Sequence, residues 1–293
     1  MSLGIILSII SAILWAIFDI VRKKAVQNNS PLKIIFIVIM SQLVFFSLFL
    51  VFSDFTLILN KYIRFAIVLI FLNILALFLF LLVLKSGEVS IYIPMLSFTP
   101  FFSALYSKLI LNEELVFIQY LGLALIILGS LFLHSTQFKS NNLITISIFF
   151  LKNKKSLMIL IVSLIWSLTP VLDKECLKYT DLYLHGFIQA IGMITVLPLL
   201  LFNKKISLGI FKEKIHHNFL LYLIIIIGFL TTFTQLIALK DVYVAELESL
   251  KRGIGIILSL FFGYFFFHEK INLKKILSVL VIIIGVINIV KFT

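Results

Sequence analysis

The sequence predicts an all-α polytopic membrane protein: ten transmembrane helices arranged as two inverted five-helix repeats around a central cavity. Three observations carry that prediction. Of 293 residues, 62% are hydrophobic and only 13% are charged, about half the charged share that keeps a soluble domain wetted. Apolar stretches of roughly 20 residues, the length that crosses about 30 Å of hydrocarbon, recur along the whole chain. Short motifs of the first half then return, in the same order, in the second.

Taken in order, the stretches fall at 3–21, 33–52, 63–84, 89–111, 116–134, 156–173, 182–202, 218–239, 243–267 and 272–291. No interval between them is long enough for a folded soluble domain. The first has no basic segment before it and no small-residue cleavage site after it, which marks a retained helix and not a signal peptide. Ile and Val abound, yet no run alternates apolar and polar residues as a membrane barrel strand does. All ten are therefore helices. Pro94 and Pro100 break the early part of the fourth. Pro170 leaves a carbonyl unpaired in the sixth and kinks it.

The repeat is legible in the joints. Trp15 lies in Ile13-Leu14-Trp15-Ala16 and Trp166 in Leu164-Ile165-Trp166-Ser167, each inside the first helix of its half. Leu84-Lys85-Ser86-Gly87-Glu88-Val89 and Leu239-Lys240-Asp241-Val242-Tyr243-Val244 join a third helix to a fourth. Asn112-Glu113-Glu114-Leu115 and His268-Glu269-Lys270-Ile271 join a fourth to a fifth, where Gly129 and Gly285 follow at matching depth. The expected division is a first repeat over 1–135, a connecting loop over 136–155 and a second repeat over 156–293. Five is odd, so the second copy enters the membrane from the other face. Inverted repeats recur in secondary transporters, where one site between the halves can open to either side. Duplication within a scaffold or a membrane enzyme is the plainer alternative.

The net charge of +12 speaks to topology. Lysines and arginines cluster between spans, as in Arg22-Lys23-Lys24, Lys152/Lys154/Lys155, Lys204-Lys205 and Lys212/Lys214. That pattern fits loops against anionic headgroups and the cytoplasm, so the partners expected are membrane lipids and no nucleic acid. The location expected is the inner (cytoplasmic) membrane. Counted by side, the positive charge puts both termini outward. Cys176 is the lone cysteine and reads as a packing residue. His134, His185, His216, His217 and His268 show no metal-ligand spacing within a helix, and no metal or cofactor is expected.

Charge inside a membrane costs about 2.5–3.5 kcal/mol per group even on insertion scales, so each instance needs a reason. Helix nine opens with Glu246, Glu248, Lys251 and Arg252. The last three share a helical face at spacings of three and four, which Gly255 and Ser259 continue. Arg252 stands about 24 Å along the helix from His268, one to two turns inside the membrane. These side chains either bind substrate or form an internal ion pair. Trp15 and Trp166 are candidate cavity walls, or else packing residues. Asp19, near Arg22 and Lys23, and Asp173-Lys174 just past Pro170 add charge to the first helix of each half. Asn73, Gln189 and Gln235 in mid-span complete the candidate substrate-binding set with Tyr92 and Ser97 of helix four. That helix also carries Thr99, Ser103, Tyr106 and Ser107. Glu113 and Glu269 read as caps for the helices that follow them.

No zinc motif, P-loop, nucleophile elbow or nucleotide fingerprint is present, so no enzyme activity is expected. With no ATP-binding module, coupling would come from a proton, another ion, or the substrate's own gradient.

Leu14-Trp15-Ala16, Ile165-Trp166-Ser167, Leu96-Ser97-Phe98-Thr99-Pro100, Leu111-Asn112-Glu113 and Phe267-His268-Glu269 together resemble the drug/metabolite transporter superfamily, in the form with two EamA-type domains. The resemblance covers essentially the whole chain. Ser249-Leu250-Lys251-Arg252 is similar to a Ser-Ile-Lys-Arg variant of one branch. The resemblance implies a ten-helix basket with a central cavity, and secondary export or exchange of amino acids or related metabolites. It also implies cytoplasmic termini, against the charge count, and orientation stays open between the two. The four-helix small multidrug resistance relatives couple protons through a glutamate of helix one. At that depth this chain has Trp15, which leaves Asp19 or Glu248 for the task. The expectation is an alternating-access permease, exporter or exchanger for a small zwitterionic or charged, amino-acid-like solute. The alternatives are a lipid-carrier flippase or lipid-modifying membrane enzyme, and a structural or sensory partner.

Overall fold

In the computed structural model, residues 2–87, 92–135, 153–198, 219–267 and 273–290 are described. Among them are ten α-helices. The first half holds α1 (Leu3–Asn28), α2 (Pro31–Phe49), α3 (Leu59–Ser86), α4 (Thr99–Ile110) and α5 (Phe117–Ser135). The second holds α6 (Lys154–Cys176), α7 (Leu182–Val196), α8 (Phe219–Asp241), α9 (Val244–Phe267) and α10 (Leu273–Val290). Six of them are long and apolar enough to cross a membrane by themselves, among them α1 and α6.

Local chemistry sets most ends. Ser30 caps α2, with Pro31 in its first turn, where a missing N–H costs nothing. The Asp181 carboxylate accepts from Tyr183 N and Leu184 N at 2.9 and 3.1 Å and starts α7. The predicted fourth span, 89–111, starts in residues 88–91, which lie outside the described set. It then proceeds as a 3-10 turn, Pro94–Phe98, before α4, because Pro94 and Pro100 cannot donate to an α ladder. Helix α1 runs a full two turns beyond the predicted end at 21. Charged Arg22 and Lys23 suggested a boundary there, but both are buried and paired within the protein, Arg22 with Asp19 and Lys23 with the Leu84 and Gly87 carbonyls.

The packing is that of an inverted repeat. Helix α1 lies on α8 and, equivalently, α3 lies on α6. Likewise α1 contacts α9 while α4 contacts α6, and α2 meets α7, α4 meets α9 and α5 meets α10. Shifting every label by five reproduces the set, which only a two-fold relation between the halves can do. At the α5–α10 crossing a Cβ on Gly122 would sit 2.6 Å from the Gly285 carbonyl oxygen, and one on Gly285 would sit 2.6 Å from that of Gly122. Only glycine lets backbones meet this closely.

Chain parity places the α2–α3, α4–α5, α6–α7 and α8–α9 joints on the face of the termini. There the two halves are tied together. Ile58 N donates to the Tyr179 carbonyl at 2.9 Å beside a Leu57–Thr180 bridge, and Ser53 Oγ donates to Asp181 at 2.6 Å. Glu113 was expected to cap the helix following it. It instead accepts from Val244 N at 2.9 Å, at the start of α9, and from Lys174 at 2.6 Å. The carboxylate does serve a helix N-terminus, but one belonging to the other half, because the two-fold relation brings α9 closer to it than α5.

Candidate functional site

The inner faces of α1, α2, α3, α6, α7, α8 and α9 enclose a cavity of about 130 Å³. Residues of both halves line it. Of the eleven residues singled out by sequence, Trp15, Asp19, Asn73, Trp166, Gln189, Gln235, Lys251 and Arg252 are on its wall. Glu248 lies directly behind the wall, 0% exposed. Tyr92 and Ser97 are buried in the packing instead and do not line the cavity.

The α9 residues form a dense electrostatic unit. Lys251 Nζ donates to Glu248 Oε1 at 2.6 Å, and Arg252 Nη2 donates to Glu248 Oε2 at 3.3 Å. Lys251 also donates to Gln235 Oε1 at 2.8 Å, which in turn accepts from Trp15 Nε1 at 2.8 Å. Across from them Arg22 pairs with Asp19. Three cations thus face two carboxylates, and this part of the cavity carries an excess positive charge. The buried Nε atoms of Arg22 and Arg252 have no hydrogen-bond partner, so the cluster retains donor capacity.

Aromatic rings hold these cations in place. The Arg22 guanidinium lies 4.3 Å from the Phe18 ring centre, 4.9 Å from Phe80, 5.5 Å from Trp15 and 5.9 Å from Trp166. Lys251 stands 4.9 Å from Trp15 and Arg252 5.9 Å from Trp166. Cation–π contacts are strongest where water is excluded. The two tryptophans therefore do two things at once: they wall the cavity and offset part of the desolvation of three cations.

A second polar cluster occupies the end of the cavity nearer the terminal face. Asp173 Oδ1 lies 3.0 Å from His185 Nε2, and His185 Nδ1 lies 3.0 Å from the Tyr62 hydroxyl. Gln189 Nε2 reaches Tyr62 at 3.5 Å. Gln42 and Thr232, joined at 3.0 Å, complete the polar wall. Beyond Phe46, which lines the cavity, stacked rings of Phe49, Tyr183, Phe229 and Phe233 continue toward the terminal face.

His185, Gln42 and Thr232 were not legible as cavity residues, since each is one polar residue whose partner lies on another helix. The hydroxyls of the fourth span prove to be packing groups. Thr99 Oγ1 sits 3.2 Å from Ser163 Oγ, and Ser103 Oγ donates to the Ser167 carbonyl at 3.0 Å, in the turn loosened by Pro170. They bond α4 to α6, as small polar residues do between membrane helices.

Residues 2–135 and 153–291 each match the family described as "EamA-like transporter family". Among curated proteins nothing matches the sequence. A solved structure described only as "Crystal structure of protein" superposes with a TM-score of 0.72, covering 100% of this chain and 99% of its own, at 13% identity. At that identity the likeness is one of fold.

Proposed function

The chain belongs to the EamA-like transporter family, and from that premise we propose that it carries a small zwitterionic, amino-acid-like solute across the cytoplasmic membrane. Transport is secondary and proceeds by alternating access, the two repeats rocking about the shared cavity.

One observation supports the choice of solute. Arg22 lies seven residues after Trp15 and Asp173 seven residues after Trp166, so the two are mates under the repeat. Both line the cavity, at opposite ends, with opposite charge. A solute with a carboxylate and an ammonium fits that polarity in one orientation. Its anionic end meets the free donors of Arg22 and Arg252, and its cationic end meets Asp173. The tryptophans supply apolar walls between. A lipophilic cation would find excess positive charge where it needs the reverse.

The test is thermal stabilisation of purified protein across amino acids, nucleosides, polyamines, sugars and cationic drugs, because a ligand bound only to the folded state raises the melting temperature. A zwitterion should give the largest shift, and Arg252→Ala should abolish it. Shifts confined to lipids or polyprenyl phosphates would overturn the reading in favour of a lipid flippase.

A further inference from the structure

Three carboxylates attend the cavity, and their partners differ in kind. Asp19 pairs with Arg22, and Glu248 with both Lys251 and Arg252. These partners are cations already, so neither carboxylate has a reason to exchange a proton. Asp173 instead faces an imidazole. Imidazole is the side chain suited to gain and lose a proton between about pH 5 and 8.

We propose that His185, clamped between Asp173 and Tyr62, is the proton-binding site of the transport cycle. The proposal rests on the transporter reading above and names its coupling ion.

The hydrogen bonds allow both protonation states without loss. With a neutral ring, Nε2–H donates to Asp173 and the Tyr62 hydroxyl donates to Nδ1. A proton arriving from the cavity binds Nδ1, which then donates to the Tyr62 oxygen. The hydroxyl hydrogen must find another acceptor. Gln189 Oε1 is buried, has no partner, and belongs to the side chain whose amide already touches Tyr62. Half a turn of that amide brings Oε1 to the hydroxyl. Without such an acceptor the charged state would bury an unsatisfied donor, at about 1–3 kcal/mol.

The surroundings isolate this exchange. Helix α3 presents Tyr62, and α6 presents Asp173, with Cys176 packed beside Tyr62. Helix α2 has Lys33 as its one ionisable residue, near its far end, and the 3-10 turn Leu50–Phe52 has none. Lys174, next in sequence to Asp173, is engaged by Glu113 and the Val242 carbonyl. Proton arrival therefore changes one thing: Asp173 gains a cationic neighbour and ceases to attract the ammonium of a solute. Proton and solute then alternate at one carboxylate, which makes the cycle an exchange.

The experiment measures proton binding with no solute present. Proteoliposomes on a solid-supported membrane are jumped from about pH 7.5 to about pH 5.5, a span that brackets imidazole titration. Wild-type protein should give a transient charge displacement, which Ser97→Ala, off the cavity wall, keeps and His185→Gln reduces to the protein-free level. An equal displacement in His185→Gln overturns the proposal. Should that variant not fold, ring NMR of a protein whose other four histidines are replaced by glutamine serves instead. There the His185 signals should move across the same range, and a ring held in one state overturns the proposal. The two readings fail separately. A titrating His185 in a protein that binds no soluble compound would sink the zwitterion reading and leave the proton site standing. Solute uptake with the same pH dependence in wild type and His185→Gln would sink the coupling alone.

Discussion

Two sets of positions related by the repeat behave in opposite ways. Lys23 and Lys174 lie eight residues after their tryptophans and do the same thing. Lys23 Nζ donates to the Leu84 and Gly87 carbonyls at 2.6 Å, and Lys174 Nζ to the Val242 carbonyl at 2.7 Å. Gly87 and Val242 are themselves equivalent. Each lysine thus secures the end of the first helix of its half to the turn leading into the fourth, one at each membrane face. At neighbouring positions the correspondence ends. Arg22 answers to Asp173, Phe80 to Gln235 and Ser97 to Arg252. Trp166 packs on Phe80 at 4.7 Å, where Trp15 hydrogen-bonds Gln235. Apart from the two tryptophans, the repeat is kept where a side chain holds the scaffold and given up among the charged and amide groups around the cavity. Duplication supplies the frame, and divergence supplies a polarity that a symmetric cavity would lack.

That contrast can be broken at several points. Glu113→Gln should have the largest effect on stability. It leaves Lys174 without its counter-charge and weakens the cap on α9, at about 3 kcal/mol, and thermal unfolding should register a clear drop. Lys23→Met should lower stability by about 1–3 kcal/mol, for buried carbonyls left unpaired, and Lys174→Met by an amount closer to that of Glu113→Gln, because it also leaves Glu113 buried without its counter-charge. A loss at only one of the two would refute their equivalence.

Cavity positions should instead affect binding. Arg252→Ala should weaken binding of a stabilising zwitterion at least about thirtyfold, since a desolvated charge contact is worth about 2 kcal/mol or more. Glu248 keeps Lys251 as a partner, so the fold should survive, and calorimetry separates the two effects. Gln235→Phe makes the second half resemble the first at this point. It removes the acceptor shared by Trp15 and Lys251 and should cost about 1–2 kcal/mol of binding. Wild-type affinity in this variant would show that the polar version of the position is not used. The smallest effect belongs to Ser97→Ala. The Ser97 hydroxyl is buried without a partner, so its removal should change stability by less than about 0.5 kcal/mol and leave binding untouched.

How far the sequence carried depends on whether a partner was near in the chain. Hydropathy and the doubled joints identified the ten helices and their inversion, because both are local patterns repeated. The group on α9 was legible for the same reason: Glu248, Lys251 and Arg252 are one turn apart, and their ion pairs are set by helical spacing. The end of α1 was misplaced because nothing near Lys23 in sequence reveals carbonyls at Leu84 and Gly87. His185 was invisible as a site residue for that reason too, its partners Asp173 and Tyr62 lying on two other helices. Tyr92 and Ser97, expected among the substrate-binding residues, lie buried off the cavity wall. Their polarity was visible, but not the 3-10 turn and the α4–α6 packing that keep them off the cavity wall.

The contact of Gly122 with Gly285 has a mechanical consequence. Helices touching backbone to backbone cannot slide past one another without driving side chains into the contact, but they can pivot about it. If the halves rock as proposed, the α5–α10 crossing is the fulcrum and the seven cavity-lining helices are the lever arm. Small rotations there become large openings at the far side. A bulkier residue at either glycine would then act as a wedge in a hinge, arresting motion in a protein whose binding cavity is chemically intact.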